Sequence, residues 1–431
     1  DDKTAQQASA LPDDVNLDDV ADATTFRPPF PDHGRIIRVR VLEVRPPSKA
    51  VVIGRDGQWL DLARVEGGSS AAMLGPLNVT RRNGGWSITD MKGYSTAIDP
   101  NDAVTVSLAD AGATSSEWIE LHEGADGAAR LYPGTLRLVA RQDLQADAFD
   151  IMNDVLLESY VPGVLAGELY RTWSEQTFAA QAVAARSFAC TEAAVFAARR
   201  HYDVTNTAAS QMYLGAVNHE TAQLAVAQTR GQVLGYDGLL VSGYYSSCCG
   251  GLAASAVDAI GSNPVNNVAP LQGRSGGDVC TSAPVFQWAA EQPLEAFSRR
   301  LVAFGKDRGM KPLSEFTRLV SIEVIGVNAN GRPTRMAVTD QARTRVELSA
   351  ENLRRAANFT GQGLPPPEKP PKSSNLSGNV GERSVPFEGF GLGHGVGLCQ
   401  YGAEALARDG QAFDAILRWY YPGADIVAAY G

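Results

Sequence analysis

The stretch GFGLGHGVGLCQYG, residues 389–402, sets a glycine at every second position from Gly389 to Gly397 and places one histidine, His394, among them. The spacing excludes a dinucleotide fingerprint, which needs G-x-G-x-x-G between a strand and a helix, and it forms no phosphate-cradling P-loop. Period two is the strand period, so in an extended conformation the five glycines line one face and leave it without side chains. Such a face admits a flat or bulky ligand, or the close approach of another backbone.

Other groups capable of chemistry are scattered. Gln181 and Arg186 interrupt a run of alanines, and a buried arginine there needs a polar or anionic partner. His201 and His394 stand in no H-x-x-x-H or H-E-x-x-H motif, which argues against a zinc hydrolase. Cys248 and Cys249 are adjacent, Cys190, Cys280 and Cys399 are isolated, and C-x-x-C does not occur. A disulfide from Cys248 or Cys249 to Cys280 is one reading, with Cys249–Cys280 the pair we expect; free core thiols or a structural zinc near these residues are the others. No other cofactor is expected.

These residues must be positioned by a chain of 431 residues with 44% apolar content, enough for two or three domains with ample core. The net charge of −10 supplies no basic footprint for nucleic acid. No apolar run approaches the roughly 18 residues of a membrane span. The first residue is Asp1 and no apolar leader precedes it, which fits a processed secreted protein or a trimmed chain equally.

Residues 1–32 are acidic, poor in large apolar side chains and end in prolines, and read as a disordered leader. From Ile36 short alternating runs such as RIIRVRVLEV, AVVIG and AVTVSL are separated by turn residues, the signature of a β-rich unit. Residues 158–200 change character. Pro162 fits the first turn of a short helix running to about Tyr170, and Ser174 caps a second, alanine-rich helix with Glu175 as a helix-dipole acid in its first turn. Turn-rich strands follow, then a mixed region, a proline-rich connection at 364–372, and a C-terminus with two helices divided near Gly410.

Two stretches taken together resemble the SpoIID/LytB family. YVPGVLAGELYRTWSEQTFAAQAVAARSFA is similar to its run of apolar residues, glutamate, tryptophan and AQAVAAR helix; GFGLGHGVGLCQYGAEALARDGQAFDAILRWYYPG is similar to its GHGVGMSQYGA…YYPG ending. SQMYLG, YYSSCCGG, CTSAPVFQW, NGRPTRMAV and SAENLRR fall between them in the expected order, so the match spans about residues 150–430. The fold expected is α+β: the alternating runs make 33–145 a β-rich accessory region, and the resemblance makes 146–431 a mixed catalytic region with the alanine-rich helix at its centre and intervening strands, helices and proline-rich connection at 292–386.

It implies further that Glu168 is the acid of a lytic transglycosylase acting on peptidoglycan glycan strands, peptide-stripped strands above all, in the cell envelope or outside the cell. A single glutamate is chemically sufficient, because the C6 hydroxyl of the muramic residue is itself the nucleophile and no second carboxylate is required. Leu165, Ala166, Leu169 and Tyr170 around Glu168 favour the protonated acid. Gln181, Arg186, Gln211, Tyr213, Tyr245, Ser246, His394, Gln400 and Tyr401 are the implied glycan contacts, with the bare glycine face forming part of the groove. Ala179 stands where the family often carries a lysine, and Cys399 where it has a serine. The alternative reading is a glycan-binding protein without turnover, or an enhancer of a wall amidase.

Overall fold

A computed structural model describes residues 35–46, 50–65, 67, 70–96, 98–109, 118–123, 127–141, 143–196, 199–361 and 363–430. The acidic stretch 1–32 lies outside the described residues. The fold is α+β, and the described residues divide into two units: one within 35–171, 188–232 and 428–430, the other within 172–187 and 233–427.

Alternation builds the first of these. In Ile36–Val44, Ile37, Val39 and Val41 are buried while their neighbours are more open. The strand pairs antiparallel with Phe149–Leu156, Ile37 opposite Val155, and slips register between Arg40 and Leu42. Among the described residues the sheet orders Val204–Thr205, Ile36–Val44, Phe149–Leu156, Thr135–Ala140, Val104–Leu108, Trp59–Arg64 and Ala71–Leu74. A second sheet holds Gly85–Thr89, Leu77–Arg82, Val51–Ile53, Ile119–Glu123 and Arg130–Tyr132. The helix Leu157–Glu168 leaves the inner strand Phe149–Leu156 with no turn between.

Pro162 is not in the first turn as its type predicts. The helix starts earlier, at Leu157, and Pro162 sits within it at the cost of one intrahelical donor. The early start follows from burial: Leu157, Tyr160, Val161, Val164 and Leu165 are all in the core. Apolar contact there outweighs a lost hydrogen bond of roughly 1 kcal/mol.

The other unit has its own core. In the helix Leu294–Asp307, the residues Leu294, Phe297, Leu301 and Phe304 recur at helical spacing and are buried. They join Leu319, Met336, Val338, Leu353, Val385 and Phe387, drawn from two three-stranded sheets and the helix Ala350–Ala357. The alanine-rich helix Glu175–Phe196 contributes its residues up to Ser187 here. Its alanines admit backbone: a Cβ on Gly243 would lie 2.1 Å from the Ala184 carbonyl oxygen, so the chain at 243 rests on the helix itself. Glu404, buried in the helix Gln400–Arg408, accepts from the Ser174 amide at 2.9 Å and the Thr177 hydroxyl at 2.8 Å, fixing the start of the alanine-rich helix.

The glycine run is not the extended strand that its period predicts. The strand Ser384–Phe390 takes in Gly389 and stops, and Gly391, Gly393, Gly395 and Gly397 have φ of +80, +99, +76 and +65°. Left-handed residues at alternate positions keep the same period in sequence while the chain coils. The bare face is occupied by the protein's own chain: a Cβ on Gly391 would meet the Cys248 carbonyl oxygen at 2.3 Å, and one on Gly397 the Tyr244 carbonyl oxygen at 2.1 Å. Close backbone approach, the second use of such a face, is the one observed, and it corrects the expectation of a glycan groove on the glycines.

Gly397→Ala is therefore expected to destabilise by about 3 kcal/mol, combining left-handed strain with displacement of neighbouring backbone. Gly309, at φ +63° with nothing within 4 Å of a Cβ, should lose only about 1 kcal/mol on the same change. Urea unfolding of the two variants measures the difference; equal losses would show that crowding at Gly397 is relieved by small shifts.

Candidate functional site

Glu168 closes the helix Leu157–Glu168 and is only 4% exposed. Its position depends on glycines four residues apart, which share one helix face. A Cβ on Gly163 would lie 2.3 Å from the Gly215 carbonyl oxygen, and one on Gly167 would lie 2.5 Å from that of Met212. The segment 212–215 thus lies directly on the helix, and the Met212 amide donates to Glu168 Oε1 at 2.8 Å. The VPGVLAGEL pattern contains the two glycines, but nothing in it identifies the partner segment.

Gln211 and Tyr213 flank this amide as core residues. The Tyr160 hydroxyl donates to Gln211 Oε1 at 3.0 Å, and the Tyr213 hydroxyl donates to Asn153 Oδ1 at 2.9 Å. Burial raises both phenols well above the ordinary tyrosine range, which keeps them neutral donors. The structure brings Gln211 and Tyr213 close to Glu168 in sequence-distant packing, and it gives them the work of holding the Met212 segment.

In the other unit, Tyr245 and Ser246 pair in parallel with Leu398 and Cys399. The Gly395 amide donates to Ser246 Oγ at 3.2 Å, and the Tyr401 amide donates to the Ser247 carbonyl at 3.1 Å. Gln400 is buried as the first residue of the helix Gln400–Arg408. Tyr401 is half-buried, and its ring meets that of Trp173 edge-on at 5.1 Å. Trp173, also half-buried, is an aromatic surface that sequence reading did not assign to the site. Arg186 is fully buried, with Nη1 donating to the Ala182 carbonyl at 3.4 Å.

Several buried polar atoms in this unit have no hydrogen-bond partner among the described residues: both side-chain polar atoms of Gln181, the hydroxyls of Ser242 and Ser247, and Nε2 of His394. Buried polar groups are paired in the great majority of cases, so such atoms mark places for water or ligand. The His394 tautomer follows from geometry. The Val396 amide donates to Nδ1 at 2.9 Å, so the neutral ring carries its proton on Nε2.

The disulfide expected between Cys249 and Cys280 is not formed. The two sulfurs are 3.7 Å apart, where a bond needs about 2.05 Å, and all five cysteines are thiols. Cys399 and Asp278 converge on the same point, which no spacing in sequence announces. Arg332, also fully buried, was equally invisible: it donates to the carbonyl oxygens of Cys249 and Leu252 at 2.8 and 2.9 Å, and to that of His394 at 3.2 Å.

Burial lowers the His394 pKa from 6.5 to about 4, against a smaller opposing effect of Glu351. The unfolded chain therefore binds a proton near pH 6.5 that the folded protein refuses until about pH 4, and stability is lost as pH falls through that window. The loss attributable to this group is about 3 kcal/mol. Denaturant unfolding of wild type and His394→Gln from pH 7 to pH 4 should show a shallower decline in the variant; parallel declines would mean that His394 is accessible to protons in the fold.

Residues 145–236 match the family model of SpoIID, stage II sporulation protein. An uncharacterized protein of Brachyspira hyodysenteriae is 27% identical over 297 residues, covering 69% of this chain and 72% of that protein. The stage II sporulation protein D of Bacillus subtilis is 25% identical over 294 residues, covering 64% of this chain and 76% of that protein. The amidase enhancer of Bacillus subtilis is 24% identical over 296 residues, 62% of this chain but 40% of its own length. The matched segment contains Glu168, the glycine pair beside it and the whole alanine-rich helix, and it is over this segment that the chain is similar to the SpoIID family.

Proposed function

We propose that the protein is a lytic transglycosylase that cleaves the bond between N-acetylmuramic acid and N-acetylglucosamine in peptidoglycan glycan strands, with Glu168 as acid and then base. The observation that carries this reading is the carboxyl of Glu168, buried at a helix end and oriented by the Met212 amide, within the segment that matches SpoIID. The Met212 amide makes Oε1 an acceptor, and we assign the acidic proton of the reaction to Oε2. Oε2 protonates the glycosidic oxygen as the C1–O bond breaks. The C6 hydroxyl then attacks C1 and returns its proton to the carboxylate, closing a 1,6-anhydro ring with no water consumed.

The half-buried rings of Trp173 and Tyr401 supply an aromatic surface of the kind on which sugars stack. The partnerless polar atoms of Gln181 and His394 supply donors and an acceptor for hydroxyls and acetamido groups. We assign Arg186, Tyr245, Ser246 and Gln400 to holding these groups in place, since each is buried. Peptide-stripped strands are the substrate we favour, and the working location is the cell envelope or outside the cell, where peptidoglycan lies. Among the described residues no helix is long and apolar enough to cross a membrane.

A second reading, a glycan-binding protein without turnover or an enhancer of a wall amidase, is favoured by one feature. Ala179, buried in the alanine-rich helix, stands where a family lysine is expected, so a cation is missing there.

Digestion of intact and peptide-stripped peptidoglycan by wild type and Glu168→Gln separates the readings. Wild type should release products one water lighter than hydrolysis gives, and the variant should be slower by about a thousand-fold, as expected for loss of an acid–base group. Binding of both glycans without products from wild type would leave the non-catalytic reading.

A further inference from the structure

The thiols of Cys249, Cys280 and Cys399 and the carboxylate of Asp278 come from three segments of the sequence, and all four side chains are buried. One ligand atom from each can be chosen so that all lie within 4.8 Å of one another. The Cys249 and Cys280 sulfurs are 3.7 Å apart, and Cys249 Sγ is 3.0 Å from Asp278 Oδ2. Two thiolates on one tetrahedral zinc, each at about 2.3 Å, are separated by about 3.8 Å. The spacing fits a shared ion and is far too long for a disulfide.

We propose that Cys249, Cys280, Cys399 and Asp278 form a closed tetrahedral site for a thiophilic divalent cation, with zinc as the ion. The surroundings are those that orient metal ligands. Asp278 Oδ1 accepts from the Tyr420 hydroxyl at 3.0 Å and from the Val279 amide at 2.7 Å, while Oδ2 is 3.0 Å from Arg274 Nη2. The Cys249 amide donates to Cys399 Sγ at 3.3 Å, the kind of bond that stabilises a coordinated thiolate. Cys399 sits at the N-cap of the nine-residue helix Gln400–Arg408, where the helix dipole favours negative charge. Gly402 is required in that helix, because a Cβ would stand 2.1 Å from the Tyr420 oxygen and 2.6 Å from Asp278 Oδ1.

Three thiolates and a carboxylate exceed the charge of a divalent ion by two, and two buried guanidiniums lie alongside. Arg274 is ion-paired to Asp278, and Arg332 donates to the Cys249 carbonyl. With four protein ligands and no exposed face, the ion is structural. It ties the CCGG loop and the 278–280 segment to the end of the glycine run, and so holds the coil that carries His394. The proposal does not depend on glycan cleavage.

The test is elemental analysis of the full chain purified without chelator, together with a thiol count after denaturation in EDTA. About one zinc per chain and five titratable thiols are expected; three thiols and no metal would overturn the site in favour of a disulfide. Cys280→Ser and Asp278→Asn should reduce bound zinc at least about tenfold, whereas Cys190→Ser, outside the cluster, should retain it. Unchanged zinc in both cluster variants would place the metal elsewhere. Cobalt chloride added to reduced, metal-free wild type should give the visible bands of a tetrahedral thiolate complex, a readout that stands even where a variant fails to fold; their absence would also overturn the proposal.

Discussion

A guanidinium with almost no exposure to solvent anchors the glycine run and the CCGG loop. Arg332 has no carboxylate within ion-pair distance among the described residues, so its charge is met by the carbonyl oxygens of Cys249, Leu252 and His394 and by the Ser374 hydroxyl. Burial lowers its pKa, yet an arginine remains charged. A charge in that position requires the carbonyls to converge, and their convergence dictates the path of both the CCGG loop and the glycine run. Gly395 shows how tight the arrangement is, since a Cβ there would approach Arg332 Nη1 to 2.8 Å.

The carboxyl in the other unit is positioned by the same device at smaller scale. Gly163 and Gly167 remove side chains from one helix face, the 212–215 segment settles on it, and a backbone amide reaches Glu168. In both places missing Cβ atoms let one stretch of backbone touch another. Peptide groups then orient a buried polar side chain more rigidly than flexible side chains would. Tyr160, Tyr213 and Asn153 complete the support with hydrogen bonds inside the core.

Glycine and alanine therefore carry much of the information in this chain, and they carry it incompletely. The alanine-rich helix was readable as a surface for close approach, and Gly243 rests on it at Ala184. The period-two glycines were readable as a face without side chains, but the same period serves an extended strand and a coil of alternating left-handed residues. Pro162 misled for a related reason: its preference for a first turn is local, whereas the helix start is set by burial of Leu157, Tyr160 and Val161.

By itself the sequence determined the α+β class, the alternating strands, the alanine-rich helix, the two C-terminal helices and the single glutamate worth testing, because periodicity, capping residues and motif order are properties of neighbouring positions. Only the tertiary structure decided what covers the glycines, which amide holds Glu168, and that Cys249, Asp278, Cys280 and Cys399 meet. Those contacts join residues as far apart as Tyr244 and Gly397, 153 positions, and it is the packing of buried charge and bare backbone that chooses the partners.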